Sequence, residues 1–257
     1  MKNITIVKVG GAVVEDEARL EALLDDFAAL EGPKMLVHGG GRRATKVAEA
    51  LGVESRMVNG RRVTGKDMLD VVTMVYGGLI NKDVVARLQA RGVNAAGLSG
   101  ADMDVIRSVR RPVTDGVDFG FVGDVRHVGA DRLKMLMDAG ITPVLAPLTH
   151  DGHGSMLNTN ADTIASSAAM ALVDYYDVTL VFCFEKKGVL RNPDDDDSVI
   201  GRITREDYVR YVADGTISGG MMPKIENALN AVDAGVKQVV ITLATEIGRH
   251  SGTVISK

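Results

Sequence analysis

At 257 residues the chain can bury a large core, as one big α/β domain or as two lobes. Its 46% apolar and 25% charged residues are ordinary for a globular protein, and a net charge of -4 with no Trp offers nucleic acid neither a basic surface nor stacking platforms. The single cysteine, Cys183, excludes an internal disulfide framework, and no apolar run approaches the roughly 20 residues of a membrane span. Met1-Lys2-Asn3 leads straight into an apolar run, so no signal peptide is expected. The expected compartment is the cytoplasm, with no nucleic-acid partner and no membrane partner.

Ile4–Val9 reads as a strand, and Leu20, Leu23, Leu24, Phe27 and Leu30 follow helical spacing after it. Gly32-Pro33 breaks that helix, and Met35–Val37 reads as the next strand. The unit is βαβ, which predicts a parallel pair with a right-handed crossover. Arg42–Leu51 reads as a helix, and Asp67–Arg91 as a long helix weakened at Gly77-Gly78. Ala95–Leu98 and Asp104–Val109 are expected strands, and Phe119–Gly123 is Gly-punctuated and hairpin-like. Ala130–Ala139 reads as a helix and Thr142–Ala146 as a strand. Asn160 is expected to cap a helix over Ala161–Leu172, and Val178–Phe184 has the look of a buried strand. Thr204-Arg205-Glu206-Asp207 resembles a capping box, Pro223 suits the first turn of a late helix, and Gln238–Thr242 with Thr253–Ile255 should close the sheet. Strands alternating with helices predict an α/β fold, a three-layer αβα sandwich on a mostly parallel sheet. Asp194–Asp197 reads as a solvated acidic loop.

Three distant segments carry the chemistry. Lys8-Val9-Gly10-Gly11 and His38-Gly39-Gly40-Gly41 each end an apolar strand, and Gly219-Gly220-Met221-Met222-Pro223-Lys224 opens the late helix. Glycines at strand ends let backbone N–H groups approach a ligand closely, and such amides beside a helix start favour anions, phosphate above all. Lys8 and Lys224 add full positive charge. Lys224 in a first turn opposes the helix dipole, which calls for an anionic ligand. Asn158-Thr159-Asn160-Ala161-Asp162 carries more polar groups than a cap requires. The predicted chemistry is phosphoryl transfer. Gly60–Lys66 matches the first seven positions of a P-loop, but Asp67 stands where Ser or Thr is needed for Mg²⁺, and no core-type strand precedes it. Neither glycine cluster completes a dinucleotide fingerprint. His38 and Cys183 read as structural.

In their order and spacing these segments, with Asn59-Gly60-Arg61-Arg62-Val63-Thr64, Asn81-Lys82 and Gly97-Leu98-Ser99-Gly100, resemble the amino acid kinase family. Within it they are most similar to the branch that phosphorylates N-acetyl-L-glutamate, and the likeness covers nearly the whole chain. The resemblance implies transfer of a phosphoryl group from ATP, with Mg²⁺, to the side-chain carboxylate of an N-acyl-glutamate, acetyl or another such as succinyl, in arginine biosynthesis. Two other readings stay open: a kinase for acylated aminoadipate, and a catalytically idle amino-acid sensor of the same fold. The resemblance further implies one domain over residues 1–257, with an acyl-amino-acid-binding and dimerisation lobe at 1–172 and a nucleotide lobe at 173–257.

By the same resemblance Lys8, Lys224, Asp162 and Gly11 are catalytic, and Gly40, Gly41, Arg62, Asn158 and Asn160 hold the acyl amino acid. The nucleotide would lie against Gly10, Glu185, Gly188, Val189, Leu190, Thr216, Ile217 and Ser218. No protein ligand for Mg²⁺ is expected. Two departures stand out: Cys183-Phe184-Glu185-Lys186-Lys187 replaces an Asp-containing turn, and the segment between Ile241 and Val254 is short. Arginine-inhibited, hexameric members of the family carry an extra helix before the first strand, and only three residues precede Ile4 here, so the resemblance implies a homodimer without arginine feedback.

Overall fold

The computed structural model describes residues 1–58, 60–247 and 252–257. In chain order its strands are β1 (Lys2–Val9), β2 (Lys34–His38), β3 (Met57–Val58), β4 (Arg61–Arg62), β5 (Ala95–Leu98), β6 (Ile106–Arg110) and β7 (Gly123–Val128). They continue as β8 (Thr142–Leu145), β9 (Leu148–His150), β10 (Met156–Asn158), β11 (Tyr176–Phe184), β12 (Arg202–Ile203), β13 (Gln238–Leu243) and β14 (Thr253–Ile255). The helices are α1 (Gly11–Val14), α2 (Glu17–Ala29), α3 (Gly41–Ala50), α4 (Lys66–Val72), α5 (Asn81–Ala90), α6 (Ala130–Asp138), α7 (Ala161–Ala171), α8 (Arg205–Ala213) and α9 (Met221–Asp233).

The main sheet has the order β12-β14-β13-β11-β1-β2-β8-β5. Every neighbouring pair is parallel except β13 and β14. The pleat of β1 sorts its side chains: Ile4 and Ile6 enter the core on one face, Val7 and Val9 the core on the other. Lys8 therefore projects from the Ile4–Ile6 face, where α7 packs with the small buried residues Ala165, Ala168 and Ala169. That alternation brings a lysine in the middle of the sheet up to the N-terminus of α7.

A second sheet, β10-β9-β6-β7, was not legible as such. Its strands are short, and β9 and β10 carry Thr149, His150 and Asn158 where a core strand would be apolar. Phe119–Gly123 is not itself a hairpin. The β6–β7 ribbon turns at Thr114–Val117, and Phe119–Val122 runs back along Thr64 and Asn158 through isolated bridges. Thr253–Ile255 is not the sheet edge, because β12 pairs outside it. The weak point at Gly77-Gly78 is a π-helical stretch, Thr73–Ile80, that joins α4 to α5 in one continuous run. Asn59 of the Asn59–Thr64 motif, and residues 248–251 of the short segment before Val254, lie outside the described residues. Gly60 to Lys66 is not a phosphate loop: Arg61 and Arg62 form β4 against β3, and Lys66 pairs with Asp70 at 3.2 Å on the surface.

His38 ends β2 with no exposed surface. Asn81 Nδ2 donates to His38 Nε2 at 3.1 Å and to the Val144 carbonyl at 3.0 Å, which leaves the ring proton on Nδ1, donated to the Gly39 carbonyl at 2.8 Å. The network ties the glycine turn after β2 to α5 and β8. It also explains Gly97, whose added Cβ would lie 1.9 Å from Asn81 Oδ1. Burial lowers the His38 pKa to about 4. The unfolded chain therefore binds the proton first, and native stability falls as pH drops from about 6.5 to about 4. NMR titration should show His38 neutral down to pH about 4. The stability advantage of wild type over His38→Gln should shrink through that window, by on the order of 3 kcal/mol in full.

Candidate active site

The parallel strands β1 and β2 end side by side, and each runs into a glycine turn and then a helix. The turns touch through backbone. A Cβ on Gly11 would lie 3.2 Å from Gly40 N and 3.3 Å from Gly41 N, and one on Gly39 would lie 3.0 Å from Gly11 N. A Cβ on Gly40 would meet Ile80 Cδ1 at 2.4 Å and Tyr76 Cδ1 at 3.1 Å. Glycine is demanded here by close approach. The first amides of α3, which follow this turn, have no intrahelical acceptors.

Two cavities meet at this junction and share Gly11 and Gly41. The first, about 230 Å³, is lined by Lys8, Gly40, Arg62, Asn158, Asn160 and Asp162, with Tyr76 opposite. The second, about 440 Å³, is lined by Gly10, Glu185, Gly188 and Lys224, with Phe184 and Met221. A third cavity of about 170 Å³ extends from the second over Gly188, Val189, Leu190, Thr216, Ile217 and Ser218. The structure thus brings the expected acyl-amino-acid residues into one cavity. It spreads the expected nucleotide residues over the two that follow.

The first cavity is built for an anion. Arg62 is 7% exposed, and its described partners are all neutral: the Ser55 hydroxyl, the Gly41 carbonyl at 2.8 Å and the Thr45 hydroxyl at 2.9 Å. A guanidinium buried without a carboxylate is costly unless a ligand completes it. Tyr76 stands beside Arg62, and burial raises the pKa of its phenol, so it stays a neutral donor. Asn158 Nδ2 donates to Thr64 Oγ1 at 3.0 Å, which fixes its amide on the cavity wall. Asn160 caps α7 by accepting from the backbone N–H of Asp162 at 2.8 Å and of Thr163 at 3.1 Å. The cap sets Asp162 in the first turn, where Lys8 Nζ lies 2.7 Å from its Oδ1. That contact is an ion pair by distance without hydrogen-bond alignment, so Asp162 Oδ1 is buried with no directed donor.

Lys224 is exposed near the start of α9 and, among the described residues, pairs with no carboxylate. Its ammonium lies 4.3 Å from the centre of the Phe184 ring, and that of Lys8 lies 5.7 Å from the same ring. Glu185 reaches Arg42 of α3 at 3.8 Å across the second cavity. The acidic loop is more than a solvated run: Asp196 pairs with Lys186 at 2.7 Å and Asp197 with Lys187 at 2.8 Å, which pins the turn after β11. Cys183 lines the second cavity, but burial pushes its thiol up to about 12, which removes it as a nucleophile.

Sequence reasoning missed Tyr76, Thr64, Thr253 and Phe184. Tyr76 carried a signal, a phenol on an otherwise mostly apolar helix beside a Gly-Gly pair. The Thr253 hydroxyl accepts a hydrogen bond from Val189 N–H at 2.8 Å, and it crowds Gly188 so that a Cβ there would lie 2.8 Å from its Oγ1. Phe184 carried no signal, since an aromatic ring at a strand end reads as core.

Among the described residues no helix is long and apolar enough to cross a membrane, and no three His, Cys, Asp or Glu converge as a metal cage. The profile of the amino acid kinase family matches residues 3–243. The acetylglutamate kinase of Phocaeicola vulgatus is 65% identical over 256 residues, covering 100% of this chain and 99% of that protein. That of Bacteroides thetaiotaomicron is 64% identical with the same coverage. Among solved structures, the smu.665 protein of Streptococcus mutans UA159 superposes with a TM-score of 0.79 at 31% identity, covering 100% of this chain and 99% of its own.

Gly40→Ala should destabilise the chain by about 1–3 kcal/mol, as overpacking does. In denaturant unfolding the double variant Gly40→Ala with Ile80→Ala should cost clearly less than the two single costs added. Strict additivity would mean that the Gly40–Ile80 contact does not set the turn.

Proposed function

Because the chain belongs to the amino acid kinase family, we propose that it transfers the γ-phosphoryl group of ATP to the side-chain carboxylate of N-acetyl-L-glutamate, a step of arginine biosynthesis. The observation that carries this reading is the junction at Gly11 and Gly41, where a cavity suited to a carboxylate opens onto one suited to phosphates. The acceptor carboxylate has an ordinary pKa of roughly 4.3 and is already ionised at neutral pH, so no general base is needed. Neutral, buried His38 and the inert Cys183 fit a site without one.

What such a reaction needs is two anions held together and charge neutralised in the transferring group. Arg62, with Asn158, receives the α-carboxylate through the planar fork of the guanidinium. Gly40, Gly41 and Asn160 line the same pocket. Lys8 approaches the phosphoryl group from the acyl side, held by Asp162, and Lys224 from the nucleotide side. The amides of Gly11 and Gly40 supply neutral donors between them. The nucleotide runs from Gly10 past Glu185 and Gly188 to Val189, Leu190, Thr216, Ile217 and Ser218. Mg²⁺, held mainly by the phosphates and water, would offset the charge of the phosphates.

Residues 1–172 form the acyl-amino-acid lobe in this reading and residues 173–257 the nucleotide lobe. The first cavity draws only on residues 8 to 162 and the third only on 186 to 221, which supports that division. The enzyme works in the cytoplasm as a homodimer through the first lobe, where Met74 and Leu79 are 54% and 49% exposed on the π-helical stretch.

With hydroxylamine as trap, ATP and N-acetyl-L-glutamate should yield a hydroxamate, and unacylated glutamate should not. Turnover restricted to N-succinyl-glutamate or an acylated aminoadipate would move the substrate assignment, and binding without ADP release would mark an idle sensor. Lys8→Ala and Lys224→Ala should each lower kcat by about 10²–10³ with the fold intact. Arg62→Lys should raise KM for the acyl amino acid and leave that for ATP unchanged, since lysine lacks the planar fork. Light scattering should return about twice the chain mass, and Met74→Glu with Leu79→Glu should return one chain mass.

A further inference from the structure

Lys224 is the fourth residue of α9, a place where the helix dipole repels a cation, and no described carboxylate holds it. What holds it is a ring. Phe184 is the last residue of β11 and shares a strand face with Phe182 two residues earlier. Phe182 is 5% exposed in the core, and the two rings stack with centroids 6.2 Å apart and planes at 21°. The buried ring thus braces the half-buried one at the mouth of the second cavity. Two ammonium groups stand over the braced ring, that of Lys224 at 4.3 Å and that of Lys8 at 5.7 Å from its centre. The lysines differ in kind. Lys8 has the carboxylate of Asp162 at 2.7 Å, whereas Lys224, which pairs with no carboxylate among the described residues, has the ring.

We propose that Phe184 is the positioning residue of Lys224, holding its ammonium over the second cavity by a cation–π contact in place of a carboxylate. The inference rests on the reading that Lys224 acts on the phosphoryl group. A carboxylate in that place would cancel much of the lysine's field and repel the nucleotide phosphates. The negative face of an aromatic ring attracts the ammonium without a formal charge, so the field at the transferring group is kept. A donor held in place before the reaction also needs no reorganisation during it. The glycine-rich Gly219-Gly220 entry to α9 supplies no side chain that would do this instead.

The test replaces Phe184 by Leu, by Tyr and by para-fluoro-, difluoro- and trifluorophenylalanine in the full chain. Fluorination weakens the ring's negative face at nearly constant shape. The expected result is a stepwise fall in kcat along the fluorinated series, with melting temperature and KM for N-acetyl-L-glutamate constant. Phe184→Leu should lose about tenfold in kcat and Phe184→Tyr should keep it, the size expected of a partly desolvated cation–π contact. The ε-methylene protons of Lys224, assigned with Lys224→Arg, should be shifted upfield by the ring in wild type and return to ordinary positions in Phe184→Leu. A flat kcat across the fluorinated series in an active enzyme would overturn the proposal. So would unshifted Lys224 resonances in wild type. If wild type forms no acyl phosphate the functional reading fails, and the NMR arm still decides whether the ring holds the lysine.

Discussion

The contact on which the rest depends is backbone against backbone, where the turn after β1 meets the turn after β2 with no Cβ between them. Gly11 lies so close to Gly40 and Gly41 that a methyl group on it would stand 3.2–3.3 Å from their amide nitrogens. Packing at that distance makes the ends of two neighbouring parallel strands a single floor. One helix then starts from each side of it, and the two largest cavities of the site open on either side. A wider floor would part the acceptor from the donor, and a misplacement of about 1 Å is enough to cost orders of magnitude in a transfer reaction. Around this floor the fold is braced by side chains packed against the two turns. Neutral His38 and Asn81 tie the second turn to α5 and β8, and Ile80 and Tyr76 close over Gly40.

Electrostatics then says what the floor is for. The chain as a whole is slightly acidic, yet the site collects cations that the protein leaves incompletely answered. Arg62 is buried among neutral acceptors, Lys224 rests on an aromatic face, and Lys8 has one carboxylate that is misaligned for a hydrogen bond. Elsewhere in the chain other charges meet in dense ion pairs. Asp104 alone faces Arg107, Arg132 and His150, and this holds its carboxyl far below the usual range. The contrast supports the proposal that Arg62 and Lys224 serve ligands. In the proposed reaction a carboxylate acceptor comes already ionised, so it calls for no titrating base.

Much of this was readable from residue order. β1, β2, β8, β11 and β13, with the helices between them, follow from apolar runs and their period, because parallel strands buried on both faces are continuous in apolar residues. The cap at Asn160 and the box at Thr204 have local chemistry and were visible for that reason. The lysines and glycines stood out because each contradicts its local setting: a lysine in a core strand, three glycines in a row, a cation in a first helical turn. What stayed hidden depends on long-range pairing. The four-stranded second sheet is built of short, polar strands joined by single bridges, and nothing local distinguishes them from loops. Phe184 was invisible for the opposite reason. Its residue type agrees with a strand end so well that only the arrival of α9, forty residues on, shows what the ring faces.

The most direct measurement is a crystal structure of the chain with ADP, Mg²⁺, fluoroaluminate and N-acetyl-L-glutamate. The account predicts the fluoroaluminate over Gly11 and Gly41, with Lys8 on the acyl side, Lys224 on the nucleotide side, and the α-carboxylate on Arg62. A fluoroaluminate bound elsewhere, or an acyl amino acid seated away from Arg62 while ADP occupies the second cavity, would contradict it.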